Sequence, residues 1–183
     1  MRRVRPSFRP VQRVSALARD RRGVAAIEFA LCGSAFFALM IAILATGLTL
    51  FAQQTLQTVA DQMARQVLTG KTTIAGVDAD GFRRQACDRL PPFLSCTRLM
   101  VDLRRADAFA DADVAAPTIR FDDKGRVTNE WRFERVAPGD VVVLRILYLW
   151  PVPGGPLGVS LADSGPGQRL LIGTQMFKAE PFA

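Results

Sequence analysis

From Phe29 to Ala52 the chain runs for 24 residues without a charged side chain. As an α-helix rising about 1.5 Å per residue, that run reaches roughly 36 Å, against a hydrocarbon core of about 30 Å. It predicts a helix that spans a bilayer with a little tilt. Eleven of its positions are Leu, Ile or Phe. At roughly −0.5 kcal/mol each they outweigh one charge near the helix end, which costs at most about 3 kcal/mol. The competing reading is a secretory signal cut near Gly47, but the apolar core of such a signal is only about 7–15 residues long.

The charge distribution assigns an orientation. The net charge is +7, and residues 1–23 alone hold Arg2, Arg3, Arg5, Arg9, Arg13, Arg19, Arg21 and Arg22 against Asp20, which is 8 − 1 = +7; the rest carries 16 basic and 16 acidic residues. A nucleic-acid reader keeps its basic stripe on the folded domain, whereas positive charge just before an apolar run retains that end in the cytoplasm. The expected partner of this arm is therefore membrane lipid, with no nucleic acid. Histidine is absent, which removes the commonest general base and the commonest metal ligand. The chain is expected to be no enzyme and to carry no cofactor.

Small side chains at Ala26, Ala30, Ser34, Ala38, Ala42 and Thr46 recur at every fourth position and line one ridge of the helix, where a second helix can approach closely. Beyond Ala52, Leu56, Val59, Met63 and Val67 keep a helical spacing while Gln54, Gln57, Asp61 and Gln66 fall elsewhere, so the helix is expected to continue with an apolar stripe that covers a soluble domain. Gly70 is the natural stop. Three segments follow: a basic cytoplasmic leader at 1–23, the transmembrane helix and its amphipathic extension at 24–69, and an extracytoplasmic domain at 70–183.

Just before the span stands GVAAIEF, with Gly23 after two arginines, Glu28 five places on and Phe29 next. A cut after Gly23 would leave Val24 with a cationic amine at the head of an apolar helix, and Glu28 is placed to neutralise such an amine on a neighbouring subunit. Taken alone, Glu28 also fits a carboxylate that snorkels to the interface near a helix N-terminus. The combination resembles the class III signal of type IV prepilins and pseudopilins. At the other end, GDVVVLRILYLWPV at 139–152, a Gly/Pro-rich stretch and the terminal FKAEPFA are similar to the TadE-like family of tight-adherence (Flp) pilus assembly proteins, as is GVAAIEFAL. The chain departs from many of that family in having no proline between Gly23 and Gly70. The resemblance implies a bacterial inner-membrane pseudopilin or minor pilin, processed at Gly23, Val24, Glu28 and Phe29 by a prepilin peptidase. Its implied partners are that peptidase and other pilus assembly proteins or pilins.

The expected fold class is α+β: a long N-terminal transmembrane helix continuing into a small antiparallel-sheet domain. Phe82, Ala86 and Leu90 are spaced for a short helix closed by Pro91 and Pro92. Strands are expected at 97–103, 118–121, 130–136, 141–149 and 169–177, split by DDKG and APGD turns. The strongest, 141–149, reads as central and mostly buried although Arg145 interrupts one face. Tyr148 and Trp150 on the other face read as core or rim ahead of a ligand platform. Cys32 lies in the apolar run, so Cys87 and Cys96 are expected to pair; a metal site there lacks two further ligands. The Gly/Pro-rich segment 151–168 is the candidate contact loop. TGKTT at 69–73 fails as a phosphate loop because Arg65 stands where a glycine is needed. Two other classes compete with the pilus reading: an uncleaved membrane-anchored binding module, and an exported hydrolase working through carboxylates alone.

Overall fold

The computed structural model describes residues 23–152, 154, 160–165 and 167–181, and the chain divides into two compact units at Ile41/Ala42. Helix α1 is continuous over Val24–Leu68, as expected of a stretch without a proline to remove a backbone donor. In the first unit its large apolar side chains, among them Phe29, Leu31, Phe36 and Phe37, are exposed. In the second unit α1 becomes amphipathic. Ala52, Leu56, Val59, Ala60, Met63 and Val67 are buried, so the spacing predicted from Leu56 to Val67 is the face that covers the domain. The helix ends where Gly70 takes a left-handed conformation with φ 72°, which costs no Cβ clash.

After a single turn, α2 at Lys71–Ile74, comes α3 at Ala79–Cys87. Asp78 caps α3 by accepting from the Gly81 amide at 2.7 Å, and Phe82 and Ala86 enter the core fully buried, with Phe82 packed against Phe133 at 5.3 Å between ring centroids. Three strands follow: β1 at Leu99–Ala106, β2 at Val141–Pro151 and β3 at Gln168–Lys178. They form an antiparallel sheet in the order β1-β2-β3. The register sets Val101 opposite Ile146 and Ile146 opposite Gly173.

Two expected strands are absent. Around 118–121 there is one bridge, Phe121 to Val127, and around 130–136 one bridge, Phe133 to Leu103. In both places backbone bonds form only at the bridge, and side chains take others that a longer ladder would have made. Asn129 accepts from the Arg120 amide at 2.7 Å and donates to the Thr118 carbonyl at 2.8 Å. Asp102 accepts from the Arg132 amide at 2.9 Å. The first true strand starts at Leu99 and not Thr97, because Cys96–Arg98 form a 3-10 turn.

The central strand β2 is buried from Val141 through Leu149. Val142, Leu144, Ile146 and Tyr148 join Val101, Leu103 and Leu171 in the core with α1. The closest approach is at Gly173, where a Cβ would lie 2.8 Å from Ala60 Cβ and 2.9 Å from the Leu56 carbonyl oxygen. Beside it, Gln53 donates to the Ile172 carbonyl at 2.8 Å and Gln57 to the Thr174 carbonyl at 3.3 Å. Helix side chains thus occupy acceptors on an edge strand that would otherwise invite pairing with another chain.

Candidate functional site

The signal-like motif lies at the start of α1. Gly23 is in a 3-10 turn that leads into the helix, Val24 is the first residue of α1, and Glu28 and Phe29 fall on its opening turns, all exposed. The expected cleavage point therefore lies immediately before the first residue of α1. The arginines of the leader lie outside the described residues. Of the small-residue ridge, Ala30 and Ser34 are exposed and Ala38 and Ala42 half-buried. The Ser34 hydroxyl donates to the Leu31 carbonyl and that of Thr46 to the Ala42 carbonyl, each at 2.9 Å. These hydroxyls are satisfied within their own helix, as an apolar surrounding requires.

A second constellation is the corner after α3. Cys87, at the end of α3, and Cys96, at the start of the 3-10 turn, form a disulfide with Cα atoms 5.4 Å apart. Between them the Leu94 amide donates to the Pro91 carbonyl at 3.0 Å, and the Ser95 amide donates to the Tyr148 hydroxyl at 2.8 Å. Tyr148 is buried and Trp150 packs half-buried against the core, so this pair serves the core and not a ligand platform. Phe93 projects from the corner, 48% exposed, and stacks on Phe51 of α1 with centroids 5.7 Å apart and planes at 29°. Nothing in the hydrophobic pattern foretold that stack.

On the other side of the sheet, Arg145 and Asp102 are 2% and 1% exposed. Arg145 Nη1 lies 3.8 Å from Asp102 Oδ2 and Nη2 lies 3.3 Å from the Asp113 carboxylate; Nη2 also donates to the Asp113 carbonyl. Arg104 Nε approaches Asp102 Oδ2 to 2.8 Å. The Asp113 carboxyl is held below its ordinary value by the Ala115 amide that donates to it and by the Arg145 guanidinium. Asp122 is lowered likewise, first by the Arg126 amide and then by its side chain. The lone arginine in an apolar strand was visible in the sequence, but its partners come from segments whose positions only the fold defines.

A cavity of about 340 Å³ is lined by Val67, Thr72, Val77, Leu103, Phe133 and Val136, together with Asp78, Glu134 and Arg135. Among the described residues no group of three or more His, Cys, Asp or Glu is placed to hold a metal ion. Gly70 in TGKTT follows a helix and caps it, so no strand leads into a phosphate loop. Of the Gly/Pro-rich segment, residues 153, 155–159 and 166 lie outside the described residues. Its described ends are tied by the Val152 amide donating to the Gly167 carbonyl at 2.8 Å and by the Leu170 amide donating to Asp163 at 2.9 Å.

Helix α1 is long and apolar enough to cross a membrane, and only 11% of its most apolar 18-residue stretch is buried, unlike the core helix of a soluble protein. The class so defined is an α+β protein with, among the described residues, one potential N-terminal membrane anchor and a small disulfide-stapled domain. Residues 23–65 match the family model described as TadE-like protein, the family the sequence resembles. The match begins at Gly23 and covers most of α1, stopping before the C-terminal strings that carried the second resemblance. It suggests involvement in tight-adherence pilus assembly. No curated protein and no solved structure matches the chain.

Proposed function

We propose that this chain is a membrane-anchored pseudopilin or minor pilin that takes part in assembling a tight-adherence pilus and is cut after Gly23 by a prepilin peptidase. The observation that carries the reading is a coincidence of boundaries. The family match begins at Gly23, and the helix begins at Val24, with Glu28 exposed on its opening turns. Removal of the leader frees a cationic amine at Val24. A neighbouring subunit's Glu28 then neutralises it within the membrane, where an unpaired charge is expensive. The ridge of Ala30, Ser34, Ala38 and Ala42 lets the paired helices approach closely. The role is structural, carried by helix packing and by contacts of the domain outside the cytoplasm, with other pilus assembly proteins as partners.

The test is intact mass and N-terminal sequencing of the membrane-extracted chain, expressed with and without a prepilin peptidase. The expected result is a peptidase-dependent product beginning at Val24, lost in a Gly23→Leu variant. A chain that retains residues 1–23 under every condition overturns the processing step and leaves an uncleaved membrane-anchored binding module.

A further inference from the structure

The corner at Pro91–Leu94 presents an apolar side chain outward from a rigid turn. Leu94 is buried at 5% exposure while its neighbour Phe93 is 48% exposed. The Cys87–Cys96 disulfide, the Pro91–Leu94 turn bond and the bond from Ser95 to the buried Tyr148 hold that exposure in place. Phe93 also has a definite level along α1. It stacks on Phe51, the penultimate residue of the apolar run, and Gln53 and Gln54 follow at once. Leu48, Leu50 and Phe51 are each about 60% exposed, so Phe93 extends the apolar surface of the span onto the domain. A spanning helix leaves the hydrocarbon where its apolar run gives way to polar residues, and apolar side chains such as Phe and Leu bury into the boundary between headgroups and acyl chains at that level.

We propose that this corner is a lipid-binding foot: Phe93 enters the boundary between headgroups and acyl chains beside Phe51, and the domain rests on the bilayer that α1 crosses. The inference rests on the membrane-anchor reading of α1. Covering by a second copy of the chain is the alternative occupant. Lipid is favoured because Phe93 continues, through Phe51, the surface that the bilayer already covers.

The test uses the full chain with Trp131→Phe and Trp150→Phe, carrying one new tryptophan at Phe93, Phe37 or Ile74. Each is reconstituted into phosphatidylethanolamine/phosphatidylglycerol vesicles containing lipid brominated either near the headgroup or near the chain end. Ile74 is 66% exposed and follows Gly70, roughly 28 Å along the helix from Phe51 at about 1.5 Å per residue. Phe93→Trp is expected to be quenched several-fold more than Ile74→Trp, and more by shallow than by deep bromine. Phe37→Trp reports the anchor itself, and its failure to quench removes the reading on which the foot rests. Quenching at Phe37→Trp with Phe93→Trp untouched by bromine overturns the foot alone. Acrylamide then separates a water-exposed ring from one covered by protein. Should the tryptophan exchanges prevent folding, a benzophenone side chain at Phe93 in the otherwise native chain gives the same decision: a photoadduct with lipid supports the foot, and adducts with a second protein chain and none with lipid overturn it.

Discussion

Arg145 is costly where it stands. A guanidinium that is 98% buried in the central strand must recover its desolvation from Asp102 and from both the carbonyl and carboxylate of Asp113. Removing one partner of a buried ion pair leaves the other uncompensated, at a cost of about 3–5 kcal/mol, whereas replacing both with apolar residues of similar volume is often neutral. Arg145→Ala is therefore expected to lower the stability of the domain by about 3 kcal/mol, the low end of that range because Arg104 and the Arg132 amide still meet Asp102, and Arg145→Met combined with Asp102→Asn, which keeps an acceptor for that amide, to recover part of that loss. Denaturant unfolding followed by tryptophan fluorescence measures both; equal losses would remove the ion pair from the account. Asp113 adds a pH dependence. Its carboxyl titrates lower in the folded chain than in the unfolded one, so its contribution is complete above the ordinary aspartate range and fades as pH falls through the lowered value. Asp113→Asn cannot titrate. Its unfolding midpoint, compared with that of the wild type across acidic pH, is expected to lack that one component of the decline.

At the scale of elements, two devices position α3, α1 and the sheet. The first is the disulfide, whose removal by paired Cys87→Ser and Cys96→Ser is expected to cost about 2–4 kcal/mol, mainly through the freed unfolded chain. Protease sensitivity between Asp88 and Ser95 is expected to rise with it. The second is Gly173. A methyl group there meets Ala60 and the Leu56 backbone at under 3 Å, so Gly173→Ala must push α1 off β3 and is expected to lose about 1–3 kcal/mol in the same unfolding experiment. The elements legible in the sequence were those with a strong period: the stripe from Leu56 to Val67, the α3 face of Phe82 and Ala86, and the run of β2. The segments 118–121 and 130–136 look like strands by alternation, yet Asn129 and Asp102 take amides that a neighbouring strand would have bonded. Gln57 was legible only as a residue off the apolar stripe, because spacing carries no record that its amide will meet the Thr174 carbonyl. At the candidate processing site the motif was fully local and therefore readable. The stack of Phe51 on Phe93 joins residues 42 positions apart in the chain and was not.

For the whole molecule, two independent properties bear on the orientation proposed for a chain that α1 anchors in a membrane. The leader's eight arginines against one acid favour a cytoplasmic N-terminus, because cationic loops are retained on that side. The Cys87–Cys96 disulfide calls for an oxidising compartment, which the cytoplasm is not. The leader arginines and the two cysteines are separate residues, so their agreement is informative. The expected orientation can be read in spheroplasts of cells making the full chain with an N-terminal tag on an uncleavable Gly23→Leu background. External protease is expected to digest the domain while sparing a tagged fragment that contains the leader and the span. After mild reduction, a membrane-impermeant maleimide is expected to label Cys87 and Cys96 but not Cys32, which lies within the apolar run. Exchanging the leader arginines for glutamine removes the charge bias while leaving the disulfide chemistry intact. The fraction of chains with a protected domain is then expected to rise, and those chains are expected to carry Cys87 and Cys96 as free thiols. A protected domain in the arginine-bearing chain, with the disulfide formed, would separate the two arguments and show that the bridge closes without export.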